Sequence, residues 1–375
     1  MMSQSASPPS AGGMVLGRRA QFLRGLRCAN PLVLLAAAAL AAVLLFVVQG
    51  LVVRGTYRAI DERHLLRSPK DDYTHIAYLI AQLRAHPPQR LPVYYIGGSA
   101  TRESIRSGKT LADALSATTG IPTEVHIMGS KQQTLAETLA IVDNLPPGPA
   151  VVAVGLNRYR FRISPQLSAR QLQGIEFLLA SPSLRSFAAR TDGIGPRDRT
   201  LIPGIANYMS TWLRYRHKSL LRLRLRKIDY QFHLFDRTNQ LSDARKAQNV
   251  ATVRKAALNR APQPDAVMRY NLDLLRAIAE TARARGFQVV FFEVPRNKEM
   301  LGDTWSIDSE TYAPFVAATA RQCHTTYLDL NLEVNIPNEH FADLSHLLDP
   351  GRLTWERHLA PALAPFVTAA RNSDP

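Results

Sequence analysis

The 375-residue chain is predicted to be an α/β protein built on a parallel five-stranded sheet with helices on both faces. Three observations predict it: five short, apolar, β-rich runs, helical patterning in the segments between them, and glycines at the ends of several runs. The first run is 93–97, Val-Tyr-Tyr-Ile-Gly, and an amphipathic helix is expected over 103–118. A strand at 123–128, a helix at 132–144 and a strand at 150–155 follow. After an interruption the alternation resumes with a helix at 266–285, a strand at 287–294, a helix at 308–322, a strand at 325–330 and a helix at 350–370. Gly286 reads as a helix C-cap, which fixes where the fourth strand begins.

What precedes the sheet has a different character. Residues 1–30 read as a disordered basic tail: Met1 to Gly13 are rich in Ser, Pro, Ala and Gly, and Arg18, Arg19, Arg24 and Arg27 follow. Residues 31–53 contain no charged side chain. About 20 apolar residues cross a bilayer core, whereas the apolar part of a cleaved signal is about 7–15, so a retained transmembrane anchor is expected. Arginines ahead of the run place the N-terminus in the cytoplasm and everything after residue 54 outside. Residues 54–90 are expected to form a charged helical stalk ending at His86-Pro87-Pro88. The α/β domain is expected over 91–375.

Chemistry concentrates at two places. Ser99 follows Gly97 and Gly98 on the first strand-to-helix turn, and Asp343-Leu344-Ser345-His346 lies near the C-terminus. Together they offer a nucleophile, a base and a carboxylate to orient the base. Gly129 closes the second run, and Gly155-Leu156-Asn157 closes the third. These four blocks, in this order, resemble the signature of the SGNH, or GDSL-like, hydrolase family, although the nucleophile block reads Gly-Gly-Ser where the commonest form is Gly-Asp-Ser. The resemblance implies a flavodoxin-like three-layer fold and an acyl-enzyme at Ser99, with His346 as base and Asp343 holding its tautomer. The backbone N–H groups of Ser99 and Gly129 and the amide of Asn157 would bind the oxyanion. No cofactor is expected: the ten His and two Cys show no zinc-type spacing, and there is no phosphate-binding glycine loop.

Charge is unevenly spread. The chain carries a net +16, and the interruption at 158–262 holds 21 Lys and Arg against six Asp and Glu. Nearly the whole surplus is therefore in one insertion. Its densest part, Arg214 to Lys227, suits either anionic lipid or acidic envelope polymer, or else forms a solvated face or a docking surface for a partner protein. No nucleic acid is expected on an outward-facing, tethered domain. The combined expectation is a membrane-anchored serine esterase or O-acyltransferase acting on an acylated envelope glycan or polymer. Its tethered arrangement is similar to that of D-alanyl-transfer proteins and of partners in alginate-type O-acetylation, which work beside a polytopic membrane acyltransferase. The alternative is a non-catalytic envelope-binding or scaffold protein on a degenerate fold of the same family.

Overall fold

A computed structural model describes residues 30–53, 62–66, 68–168, 179–191, 228–258 and 264–372. The chain divides into two compact units, Met1–Ala59 and Ile60–Pro375. In the first, the apolar run forms one helix, Pro31–Val53, with the expected bounds. Its Leu32, Leu35, Leu40 and Val43 are all exposed. Among the residues described with their side chains, which in this helix are 31–44, no helix is long and apolar enough to cross a membrane.

The second unit is built on five parallel strands: β1 Leu91–Gly97, β2 Thr123–Gly129, β3 Ala150–Leu156, β4 Phe287–Glu293 and β5 Thr326–Leu328. Their order is β2-β1-β3-β4-β5, the order of flavodoxin-like sheets, and it reverses between β1 and β3. Ligands of open α/β sheets bind at such a reversal, outside the C-terminal strand ends. Alternation of side chains sorts the strands into two cores. Tyr94, Ile96, Val152, Val154 and Phe291 meet the helices Asp72–Ala85, Leu135–Asn144, Ala266–Ala284 and Ala313–Gln322. Val93, Tyr95, Val151, Ala153, Val290 and Phe292 meet Gly108–Thr119 and Asp349–Asn372.

Several expectations change in detail. The stalk expected over 54–90 is not a stalk in its second half. Asp71 caps the helix Asp72–Ala85, and Ile76, Ala77, Ile80 and Leu83 enter the first core. Those positions form an i, i+4 stripe, which a solvated stalk would not need. The helix expected from 103 begins instead at Gly108, where Ser107 and Thr110 form a reciprocal capping box. Ahead of it lies the single-turn helix Ser99–Arg102. The helix expected over 308–322 is broken into Asp303–Glu310 and Ala313–Gln322, because Pro314 has no N–H to give Glu310 and its ring crowds that carbonyl; in the break Tyr312 turns inward and donates a hydrogen bond to the buried Glu293 side chain. The fifth strand shortens to three residues.

The insertion is partly integrated. Its helix Pro182–Arg190 places Leu184 and Phe187 in the first core. A second helix, Asp243–Leu258, follows further on. The basic run Arg214 to Lys227 lies outside the described residues.

Candidate active site

The turn that carries Ser99 sits on a seat made of glycines. Gly98 is extended and caps the Ser99–Arg102 turn, so Ser99 is its first residue at the C-terminal end of β1. A Cβ added at Gly97 or at Gly155 would lie 2.2 Å from Thr101 Oγ1. One at Gly129 would lie 2.7 Å from Arg102 Cβ and 3.3 Å from its Cα. Thr101 and Arg102 are buried and fill the space these glycines leave at the ends of β1, β3 and β2. The turn is thereby clamped flat across the switch point. Gly129, expected for an accessible N–H, has this steric role as well; it stands in register with Gly97 in the last rung of the β1–β2 ladder.

The structure brings Ser99, His346 and Asp343 into one hydrogen-bonded chain. His346 Nε2 is 3.0 Å from Ser99 Oγ, and Nδ1 is 2.7 Å from Asp343 Oδ2. The other carboxylate oxygen, Oδ1, accepts from the backbone N–H groups of Ser345 at 2.8 Å and His346 at 2.9 Å. The three-residue spacing is thus a tight loop in which the carboxylate caps its own turn. Burial raises the Asp343 carboxyl, but the hydrogen bond and charge of His346 and the two N–H donors outweigh it and hold the group below the usual carboxylate range. An Asp343 ionised at neutral pH favours the tautomer with its proton on Nδ1 and leaves Nε2 free to accept from the serine.

Asn157 is held where an amide donor is useful. It caps the 3₁₀ turn Arg158–Arg162, its Oδ1 accepting from Arg160 N–H at 3.2 Å. That bond orients the amide, and Nδ2 donates to no acceptor among the described residues. Arg160 in turn is fully buried and donates to Gly155 O at 2.6 Å, to Thr134 O at 3.1 Å and to Thr138 Oγ1. Burial lowers its guanidinium from the ordinary arginine value. Among the described residues no group of three or more His, Cys, Asp and Glu could hold a metal ion.

No protein-family model matches this chain, and no curated protein does.

Other residues at the site gave no local signal in the sequence. Arg102 Nη1 pairs with Asp72 Oδ2 at 2.7 Å and Nη2 with Glu103 Oε1 at 2.8 Å, all three side chains buried. Burial lowers the guanidinium, but the two carboxylates overcome this and leave it raised. Asp72 also accepts from Tyr230 Oη and from Lys131 N–H, so one carboxylate ties the first core helix, the Ser99–Arg102 turn and the loop after β2 to the insertion. From Ile228 to Asp236 the insertion returns as an extended strap. Ile228 and Gln231 donate to the carbonyls of Arg63 and Pro69, and Tyr230 stacks on His75 at 3.8 Å. The strap then reaches the site, where the ring of Phe235 stands perpendicular to His346 with centroids 4.7 Å apart. Asn297, fully buried after β4, donates through Nδ2 to Asp343 O and through its N–H to Leu344 O, steadying the loop that carries His346.

Proposed function

We propose that the chain is an SGNH-type serine acyl-ester hydrolase or O-acyltransferase, tethered to the membrane by Pro31–Val53 with its catalytic domain outside. Its substrate would be an acylated envelope glycan or polymer. The observation that supports this most is the Ser99–His346–Asp343 chain at the topological switch point. Ser99 Oγ attacks the ester carbonyl carbon as His346 Nε2 takes its proton. Asp343 stabilises the imidazolium that results. The Ser99 and Gly129 N–H groups and the Asn157 amide serve the oxyanion. Collapse expels the alcohol, which takes the proton from His346, and leaves acyl-Ser99. Water or a sugar hydroxyl then attacks with His346 as base, and Ser99 Oγ is regenerated.

A helix apolar on every side needs a core or a lipid around it. With its leucines exposed from 31 to 44, lipid is the surrounding we assign, and a polytopic acyltransferase would be a fitting partner in the same membrane. The basic run at 214–227 would face anionic lipid or polymer.

The test is reaction of the full chain in detergent with a fluorophosphonate probe. Labelling that disappears in Ser99→Ala and survives in Asn157→Ala is expected. A folded protein that takes no label would replace this reading with a non-catalytic envelope-binding role.

A further inference from the structure

The strap spends an unusual amount of buried charge on one residue. Phe235 N–H donates to Glu103 Oε2 at 3.3 Å, and Phe235 O accepts from Arg352 Nη2. Arg352 Nε also donates to Glu103 O at 3.1 Å. Glu103 and Arg352 are both buried, and burying such groups costs several kcal/mol unless each finds partners. Here part of their bonding capacity fixes both polar groups of the Phe235 backbone beside the nucleophile turn. What that fixes in space is an aromatic ring against the imidazole of His346. His233 also meets the Phe235 ring edge to face, with centroids 5.4 Å apart, while Phe232 lies exposed near Arg102, 6.0 Å from its guanidinium carbon.

An apolar ring beside the base has a chemical consequence at the second half-reaction. Once Ser99 is acylated, whatever hydroxyl stands near His346 Nε2 is deprotonated and attacks. Phe235 is half-buried, so its ring takes volume from water and leaves apolar surface on which the C–H side of a sugar can rest. We propose that Phe235 is a specificity-determining residue that forms the acceptor subsite and directs the acyl group to a sugar hydroxyl rather than to water. This rests on the serine reading above. In the step, the acceptor oxygen bonds to the acyl carbon, its proton passes to His346 Nε2, the bond from that carbon to Ser99 Oγ breaks, and the proton returns to Ser99.

The experiment uses the full chain in detergent with 4-nitrophenyl acetate as donor and methyl β-glucopyranoside as added acceptor. Nitrophenol release reports acylation, and the ratio of acetylated glycoside to acetate reports partition. The wild type is expected to acetylate the glycoside, and Phe235→Ala to lower the ratio about tenfold (~1.4 kcal/mol) while nitrophenol release under acylation-limited conditions stays within about threefold. Phe235→Trp should keep the ratio. A ratio unchanged in Phe235→Ala, or acylation and transfer falling together, would make the ring only a support for His346 and overturn the proposal. A wild type that sends no acetyl to the glycoside also overturns it. Absence of both turnover and fluorophosphonate labelling in the wild type would remove the serine reading itself.

Discussion

Gly155→Ala tests the glycine seat directly. The new Cβ would lie 2.2 Å from Thr101 Oγ1, 2.6 Å from Cγ2 and 2.8 Å from Cβ. Ordinary contact begins at 3.4 Å, so Thr101 and the Ser99–Arg102 turn must move by about 1 Å, or β3 must give way. Thr101 is buried and β3 is flanked on both sides by hydrogen-bonded strands, so neither yields freely. Overpacking of this kind costs about 1–3 kcal/mol, and a 1 Å misplacement of a reacting group can cost about 10²-fold in rate. We expect a fall of several degrees in Tm by circular dichroism and a fall of about 10²-fold in the rate of Ser99 fluorophosphonate labelling. Thr101→Gly in the same chain should restore part of both, since it removes the atoms that collide. Wild-type Tm and labelling in the single variant would refute the steric account, and so would a double variant no better than the single one.

Asn157→Asp keeps the oxygen that caps Arg160 N–H but loses the amide donor, so stability should hold while ester turnover falls about 10²–10³-fold; equal turnover would remove Asn157 from the oxyanion site. Asp343 is ionised at a lower pH when folded, so the stability it contributes is complete above its ordinary pKa of about 4 and is lost as pH falls through the folded value. Asp343→Asn should therefore flatten the acid side of a Tm–pH curve between pH 7 and pH 3 and lower turnover about 10⁴-fold; an unchanged acid limb would mean that other carboxylates dominate it. Asp72→Asn leaves Arg102 short of a buried counter-charge and should cost about 3–5 kcal/mol by urea unfolding, whereas a loss under 1 kcal/mol would mean that Glu103 suffices. A phosphatase fused after residue 375 should be active outside the cell, and inactivity of a well-expressed fusion would reverse the proposed topology.

The sheet was legible because its strands are continuous apolar runs: Val151 to Val154 and Val289 to Phe292 are buried on both faces, which leaves no polar alternation to confuse them. Ser99, His346 and Asp343 were legible as residue types at spaced positions, and the fold brings all three together. What escaped was set by distance along the chain. No local pattern pairs Asp72 with Arg102, or places Phe235 against a histidine more than a hundred positions later. The core helix Asp72–Ala85 did carry a local signal, its Ile76–Ile80 stripe, but the charged residues before it suggested a solvated stalk. Ser107 with Thr110 was also a readable capping box, and it would have moved the first helix to its true start.

The bonds that hold the Ser99–Arg102 turn have an order in time. Arg102 needs Asp72, which is close in sequence, but Glu103 is bonded to Phe235, 132 positions on, and to Arg352, 249 positions away. Ser99 itself waits for His346, 247 positions away. Such closures come late in folding because the loop entropy is lost before the contact forms. A chain emerging in sequence order would carry an inert serine until Asp343 to His346 had been made and the helix Asp349–Asn372 had docked. With Ser99 as the nucleophile we propose, its reactivity would be a readout of completed folding, and truncation anywhere before Asp343 should yield a protein whose hydroxyl is no more nucleophilic than any other.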